Sequence, residues 1–344
     1  MAVLFGGCSP EYRVSLQSAY AVIGHMDTKK YTPVLIGISP EGDWYRFDGD
    51  IEKIAADTWR NDADCLPAAI SPNRGAHALL VFHKDRVETI PLDAAFPVLH
   101  GKNGEDGTVQ GLFELAGIPL VGCGTLASAL CMDKDRAHKL AYAAGVAVPA
   151  AVKLKRHMDA GIALAQAENL GLPLFVKPVR AGSSYGITKV TCPYELPEAV
   201  RLAFEYDDEV IIEEAVTGFE VGCAVMGNEA LTVGAVDEIE LSDGFFDFTE
   251  KYTLKTSAIH VPARIPKAKA EEIKRAARTV YRALGCCGLA RVDLFLREDG
   301  KILFNEVNTI PGFTPHSRYP SMMKAVGVSF EELISRVIEL AVRK

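Results

Sequence analysis

The stretch Ala290–Phe313, ARVDLFLREDGKILFNEVNTIPGF, holds two apolar runs around Asp299-Gly300, a residue pair favoured in tight β-hairpin turns. Taking those two residues as the loop pairs Glu298 with Lys301, and counting back sets Asp293 opposite Glu306 and Arg291 opposite Asn308. All four then share one face. The other face, Val292, Leu294, Leu296, Leu303 and Val307, is apolar enough to be core. Two carboxylates directly across a ladder repel, so a fold that holds them there usually places a cation between them. Asp, Glu and an amide oxygen are hard ligands that suit Mg²⁺ carrying a phosphate substrate. A surface hairpin whose charges are only solvated is the plain alternative, and for any single carboxylate it is the commoner case.

The chain of 344 residues has room for roughly two to three domains and large cores. Apolar residues make up 49% and charged residues 24%, as in an ordinary globular protein. A net charge of -8 argues against a nucleic-acid or anionic-membrane surface, so an anionic substrate must meet local Lys and Arg. The eight cysteines show no CxxC pair and no Cys/His spacing that suits zinc, and they read as reduced, mostly buried small hydrophobes. MAVLFGG lacks a basic region and is too short for a signal peptide, and no apolar run approaches the ~20 residues that span a bilayer. A cytoplasmic enzyme is the expected setting.

Val3-Leu4-Phe5 running into Gly6-Gly7 reads as a buried strand and turn, followed by helical spacing from Val14 to Met26. Strand-like PVLIGIS and AAFPVLHG come later, the second entering Gly104-Glu105-Asp106-Gly107 and a helix through Leu115. This alternation predicts a parallel sheet with helices on its faces, and its ligands belong at the carboxyl ends of the strands, beside Glu11, His100 and the Gly104 loop. The glycine spacing is not GxGxxG, which argues against a nicotinamide domain.

Thr125 to Ala144 reads as one helix carrying Lys134. A compact α+β unit follows: a strand ending in Lys177, the small-residue loop RAGSSYG, the strand ITKV, and a helix over Leu196 to Tyr206. A lysine before a Gly/Ser turn can cradle phosphates, although such turns are common without a ligand. Glu213 and Glu214 end a β-run and either accept from a nucleotide or protect a sheet edge. Residues 241–266 form a long aromatic and charged loop, a pattern typical of a lid. An amphipathic helix from Lys267 to Leu284 leads into the hairpin, and Phe330 to Val342 is a last helix.

Together these parts resemble an ATP-grasp fold. EYRVSLQSA, FPVLHGKNGEDG, VKPVRAGSSYG, GLARVD and NEVNTIPGFTPHSRYP resemble the D-alanine-D-alanine ligase family, including its vancomycin-resistance members, over essentially the whole chain. The resemblance implies an α/β and α+β architecture with a Rossmann-like parallel-sheet domain over 1–121, a central ATP-grasp subdomain over 122–212 and a C-terminal domain over 213–344. It implies ATP as substrate and two Mg²⁺ (or Mn²⁺) ions held by Asp293, Glu306 and Asn308. Lys134, Lys177, Ser183, Glu213, Glu214, Glu220 and Lys251 match nucleotide contacts. Glu11 matches the carboxylate that receives the first D-alanine's ammonium, with Ser183 and Tyr252 linking Glu11 to the lid and His100 near the first substrate. Arg291 and the Gly312 N–H match the oxyanion partners, and Ser317 with Arg318 match the second substrate's carboxylate site. Lys251-Tyr252 implies an amino-acid acceptor, D-alanine or D-serine, before D-lactate. Tyr12 and EKYTLKTS look most like the D-alanine-D-serine ligases. A homodimer is expected, with neither nucleic acid nor membrane as partner. Another carboxylate ligase of the same fold and a nucleotide-binding regulatory module without turnover are the alternatives.

Overall fold

In a computed structural model, which describes residues 1–158, 160–182, 185–241 and 257–343, the chain forms three sheets. The first runs β1 (Ala2–Gly6), β2 (Val34–Ile38), β3 (Trp44–Phe47), β4 (Cys65–Ile70), β5 (Ala78–Phe82), β6 (Val87–Pro91) and β7 (Ala95–Pro97) in the order β6-β5-β4-β3-β2-β1-β7. Only β2-β1-β7 is parallel. The expected parallel sheet is thus its inner part, and residues 44–91 extend it as an antiparallel meander. Antiparallel neighbours need no crossover helix, and between these strands only the one-turn helix Glu52–Ala55 and a 3-10 turn at Trp59–Asn61 intervene, too short to announce the meander.

The helix Tyr12–Gly24 buries Leu16, Ala19, Val22 and Ile23. Its Ser15 hydroxyl accepts from Gly6 N at 2.8 Å and donates to Val98 O, joining the exits of β1 and β7 where a parallel sheet binds its ligands. Gly6 has φ +90°, and a Cβ there would lie 2.1 Å from the Ile38 carbonyl oxygen. Only glycine lets the two strands leave the sheet so closely.

The second sheet is antiparallel, in the order β10 (Thr188–Val190), β9 (Leu174–Pro178), β11 (Glu209–Glu214), β8 (Ala151–Lys155). The third is β14 (Ser257–His260), β13 (Leu231–Leu241), β12 (Gly218–Gly227), β15 (Leu289–Arg297), β16 (Ile302–Asn308). One core cluster joins Phe5, Leu16 and Phe96 of the first unit to Phe313, Tyr319 and Leu333 near the end of the chain. The expected helix over 125–144 is two, Thr125–Met132 and Lys134–Ala143. Asp133 leaves helical geometry and caps the second one, accepting from Arg136 N at 2.9 Å.

In the hairpin the loop is not two residues but three: Arg297 pairs with Lys301 in place of Glu298, and Gly300 takes the left-handed position at φ +81°. This shifts the register by one. Phe304, opposite Leu294, therefore takes the core position expected for Leu303, which lies opposite Phe295 on the other face. A β-bulge after Asp293 then absorbs Asn305 and restores the count, so Asp293 faces Glu306 and Arg291 faces Asn308 as expected.

Gly6→Ala should destabilise the protein by about 1–3 kcal/mol from its positive φ alone, and by more from the clash with Ile38. Urea unfolding measures this, and an unchanged midpoint would count against the strand-exit geometry.

Candidate active site

The polar face of the hairpin is a buried ion network. Arg291 Nε and Nη2 donate to Asp293 at 2.8 and 2.7 Å, and Asn308 Nδ2 donates to Asp293 Oδ2 at 2.9 Å. Arg318, at the start of the helix Arg318–Lys324, reaches the same carboxylate at 3.5 Å. It also grips Asp237 at 2.6 Å and 3.0 Å and Glu220 at 2.9 Å. Burial alone would lower the Arg318 pKa, but Asp237 and Asp293 hold it well above the ordinary range. Taking one partner from a buried pair costs about 3–5 kcal/mol, so these charges fix one another's positions.

Glu306 faces a second cation. Lys134 Nζ lies 3.5 Å from Glu306 Oε2 and donates to the Ala181 carbonyl at 2.8 Å, so it spans the hairpin and the Gly/Ser loop. Deeper in, Lys177 Nζ donates to Glu213 Oε2 at 2.6 Å. Burial opposes ionisation of Glu213, but Lys177 and His138 outweigh it and hold its pKa below the usual value. Side chains alternate along β11, so Glu214 lies on the opposite face and accepts from Ala150 N at 2.9 Å. The structure therefore brings Lys134, Lys177, Glu213 and Glu306 together, leaves Glu214 on backbone, and puts Glu220 with Arg318.

The rim of the first sheet completes the site. A Cβ at Gly101 would sit 2.5 Å from Glu11 Oε2 and one at Gly182 2.9 Å from it, so the Glu11 carboxylate lies where the two loops meet. His100 is not open to a ligand: Nδ1 meets the Ile310 carbonyl at 2.8 Å and Nε2 meets Ser18 Oγ at 3.1 Å. A carbonyl only accepts, so Nδ1 carries the proton, and burial keeps the ring neutral by lowering its pKa. Glu105 accepts from Ile310 N at 3.0 Å and Gly101 N at 2.8 Å, and Phe313 N donates to Ser18 Oγ at 3.3 Å. This clamp fixes the loop that carries Gly312, where a Cβ would lie 3.2 Å from Ser317 Oγ. Ser317 Oγ accepts from Thr314 N at 3.1 Å. Ser183, Lys251 and Tyr252 lie outside the described residues, as do residues 242–256 of the expected lid, whereas Ser257–His260, also counted in it, is strand β14 paired with β13 and not loop.

Two family models match, D-ala D-ala ligase N-terminus over residues 1–123 and D-ala D-ala ligase C-terminus over residues 140–339. The chain belongs to the D-alanine-D-alanine ligase family. It is 47% identical to the vancomycin B-type resistance protein VanB of Enterococcus faecalis, covering 100% of this chain and 98% of that protein. It is 46% identical to a putative D-alanine-D-lactate ligase of Streptomyces coelicolor, covering 99% and 97%. The crystal structure of the VanG D-Ala:D-Ser ligase from Enterococcus faecalis superposes with a TM-score of 0.93 at 57% identity, covering 99% and 98%. The fold is accordingly that of the family's ATP-grasp ligases, and its members form bonds between D-alanine and a second D-substrate.

The residues present fit a divalent ion in chemical type. Asp293, Glu306 and Asn308 offer hard oxygens on one face, and the like-charged pair needs a cation, a part now taken by Arg291 and Lys134. Among the described residues no three His, Cys, Asp or Glu side chains form a metal cage, and Mg²⁺ bound through phosphates takes only one or two carboxylates from a protein. Glu105, Asp237, Ser18 and His138 escaped the sequence reading. Asp237 left one signal, a carboxylate inside the apolar run LTVGAVDEIEL that is fully buried in the fold.

Burial and the neighbouring Glu11 carboxylate push the Glu105 pKa from an ordinary 4.5 up to about 8. The folded state therefore keeps a proton that the unfolded chain releases. The stability Glu105 contributes is complete below the ordinary value and is lost as pH rises to about 8. Thermal unfolding across that window should show a fall in Tm that Glu105→Gln flattens. The same slope in the variant would contradict the assignment.

Proposed function

We propose that the protein is an ATP-dependent ligase that joins D-alanine to a second D-amino acid, D-serine or D-alanine, through a D-alanyl phosphate. The observation that carries the reading is the register of the hairpin, Asp293 opposite Glu306 and Arg291 opposite Asn308, with the Lys134 ammonium 3.5 Å from Glu306. A carboxylate does not condense with an amine in water, so D-alanine's carboxylate first attacks the γ-phosphate of ATP, releasing ADP. Glu11 receives the D-alanine ammonium, and Lys134 and Lys177 meet the phosphates, Lys177 oriented by Glu213. Asp293, Glu306 and Asn308 would hold a divalent ion such as Mg²⁺, which would neutralise charge on the phosphate oxygens.

The second amine then attacks the acyl carbon, and phosphate leaves. Arg291 turns from Asp293 toward the oxyanion, with the Gly312 N–H as its partner; losing one such donor typically costs ~10²–10³ in rate. Ser317 and Arg318 receive the second carboxylate. Ser183 and Tyr252 act with Glu11 to keep water from the acyl phosphate. The 57% identity to the VanG D-Ala:D-Ser ligase supports D-serine, and the D-alanine-D-lactate relative at 46% keeps D-lactate as the competing reading. A homodimer and a cytoplasmic setting belong to the same proposal, with wall-precursor synthesis or glycopeptide resistance as its purpose. The division at 212 cuts β11, which pairs to Glu214, and we move it to residues 215–217.

Glu306→Gln should abolish D-alanine-dependent phosphate release while leaving circular dichroism and Tm near wild type. Near-normal turnover would remove the metal assignment. With ATP, D-alanine and equal D-serine and D-lactate, product masses should show D-dipeptide ahead of depsipeptide; mainly D-alanyl-D-lactate would overturn the acceptor choice.

A further inference from the structure

We propose that His138 is a positioning residue for the metal-binding hairpin, pinning through its Nε2–H the β-bulge that turns Glu306 toward Asp293. This rests on the ligase reading above and adds to it a residue outside the set that meets substrate or metal.

The helix Lys134–Ala143 lies against β16, the edge strand of the third sheet. Lys134 and His138 are four residues apart, so both point to the same side of that helix. Lys134 reaches Glu306, and His138 Nε2 lies 2.7 Å from the carbonyl oxygen of Asn305, the residue just before it. The His138 ring is buried and meets the ring of Phe304 edge-on at 5.5 Å. Beside it, Phe304 N donates to the Ala147 carbonyl at 2.8 Å. Three successive residues of β16 are thus held by one short segment of chain.

Asn305 is the residue that the bulge leaves over. From Ile302 to Phe304 the ladder runs one step out of register with Glu306 to Asn308. Without the bulge, Asn305 would stand opposite Asp293 and Glu306 would turn to the core face, beside Val292 and Phe304. A bulged residue loses its ladder partner, and its carbonyl must be satisfied elsewhere. His138 supplies that donor. The other ring nitrogen, Nδ1, faces Glu213 Oε1 at 3.6 Å, within ion-pair range but beyond hydrogen-bond reach, so the bond to Asn305 is the hydrogen bond that orients the ring.

Full-length wild type, His138→Phe and His138→Gln separate this from a general packing role. Phenylalanine keeps a ring against Phe304 without a donor, whereas the glutamine amide reaches the Asn305 carbonyl. Mn²⁺ binding in the presence of ADP is read from loss of the free-ion electron paramagnetic resonance signal. His138→Phe should weaken it about tenfold or more, the size typical of losing a group that orients a metal ligand. The Mg²⁺ concentration for half-maximal phosphate release should rise by the same factor while KM for D-alanine stays unchanged, and His138→Gln should recover most of both. Unchanged Mn²⁺ binding in His138→Phe, or a glutamine variant as weak as the phenylalanine one, would overturn the proposal. If His138→Phe is not recovered folded, His138→Asn, whose amide falls short of the carbonyl, carries the same expectation. Absence of D-alanine-dependent phosphate release in wild type would sink the ligase reading, while the Mn²⁺ titration would still judge His138.

Discussion

Asp293 and Glu306 stand opposite each other on adjacent strands, and Asp293 is buried. Two like charges about 4 Å apart repel by about 4 kcal/mol at an effective dielectric of 20, a sizeable fraction of a domain's stability. Positive charge must therefore converge on that spot. Arg291 and Arg318 meet Asp293, and Lys134 meets Glu306. Each cation comes from a different part of the chain, so neutralising one cross-strand pair draws the hairpin, the helix at Arg318 and the helix at Lys134 together. The same demand makes the place suited to a metal ion with phosphates, because a ligand that brings a cation can free Arg291 for the oxyanion role proposed for it.

The second constraint is the loop after the hairpin. Ile310 is bonded through both its N–H and its carbonyl, to Glu105 and His100 of the first unit, and Phe313 donates to Ser18. Phe313 also packs against Phe96 and Tyr319. The loop that carries Gly312 is thus held by the unit that presents Glu11. In the proposed reaction, an acyl carbon between Glu11 and Gly312 keeps its geometry only if those two units do not slide.

Much of this was legible in the chain. Period-two counting from Asp299-Gly300 placed Asp293 across from Glu306, but two departures had to cancel for it to do so. The loop is one residue longer on one strand, and Asn305 bulges on the other. Alternation reports faces, not the local accidents of a ladder, which is why Leu303 and Phe304 were exchanged. The meander over 44–91 was missed because its strands are short, and Pro67 and Pro91 interrupt the patterns of two of them. Lys177 and Glu213 stood out as charges at the ends of apolar runs. His100 was legible as a site residue but not as a clamp, since its partner Ile310 is 210 residues away. His138 carried no signal, and Glu105 was visible only as part of the Gly104–Gly107 loop, because what they bind is backbone.

The most direct test of the hairpin's role is a crystal structure of the full chain with Mn²⁺ and a non-hydrolysable ATP analogue, with anomalous scattering locating the metal. An anomalous peak between Asp293 and Glu306, with Arg291 released from Asp293, is the expected result. A peak elsewhere, or Arg291 still bound to Asp293 beside a filled nucleotide site, would contradict it.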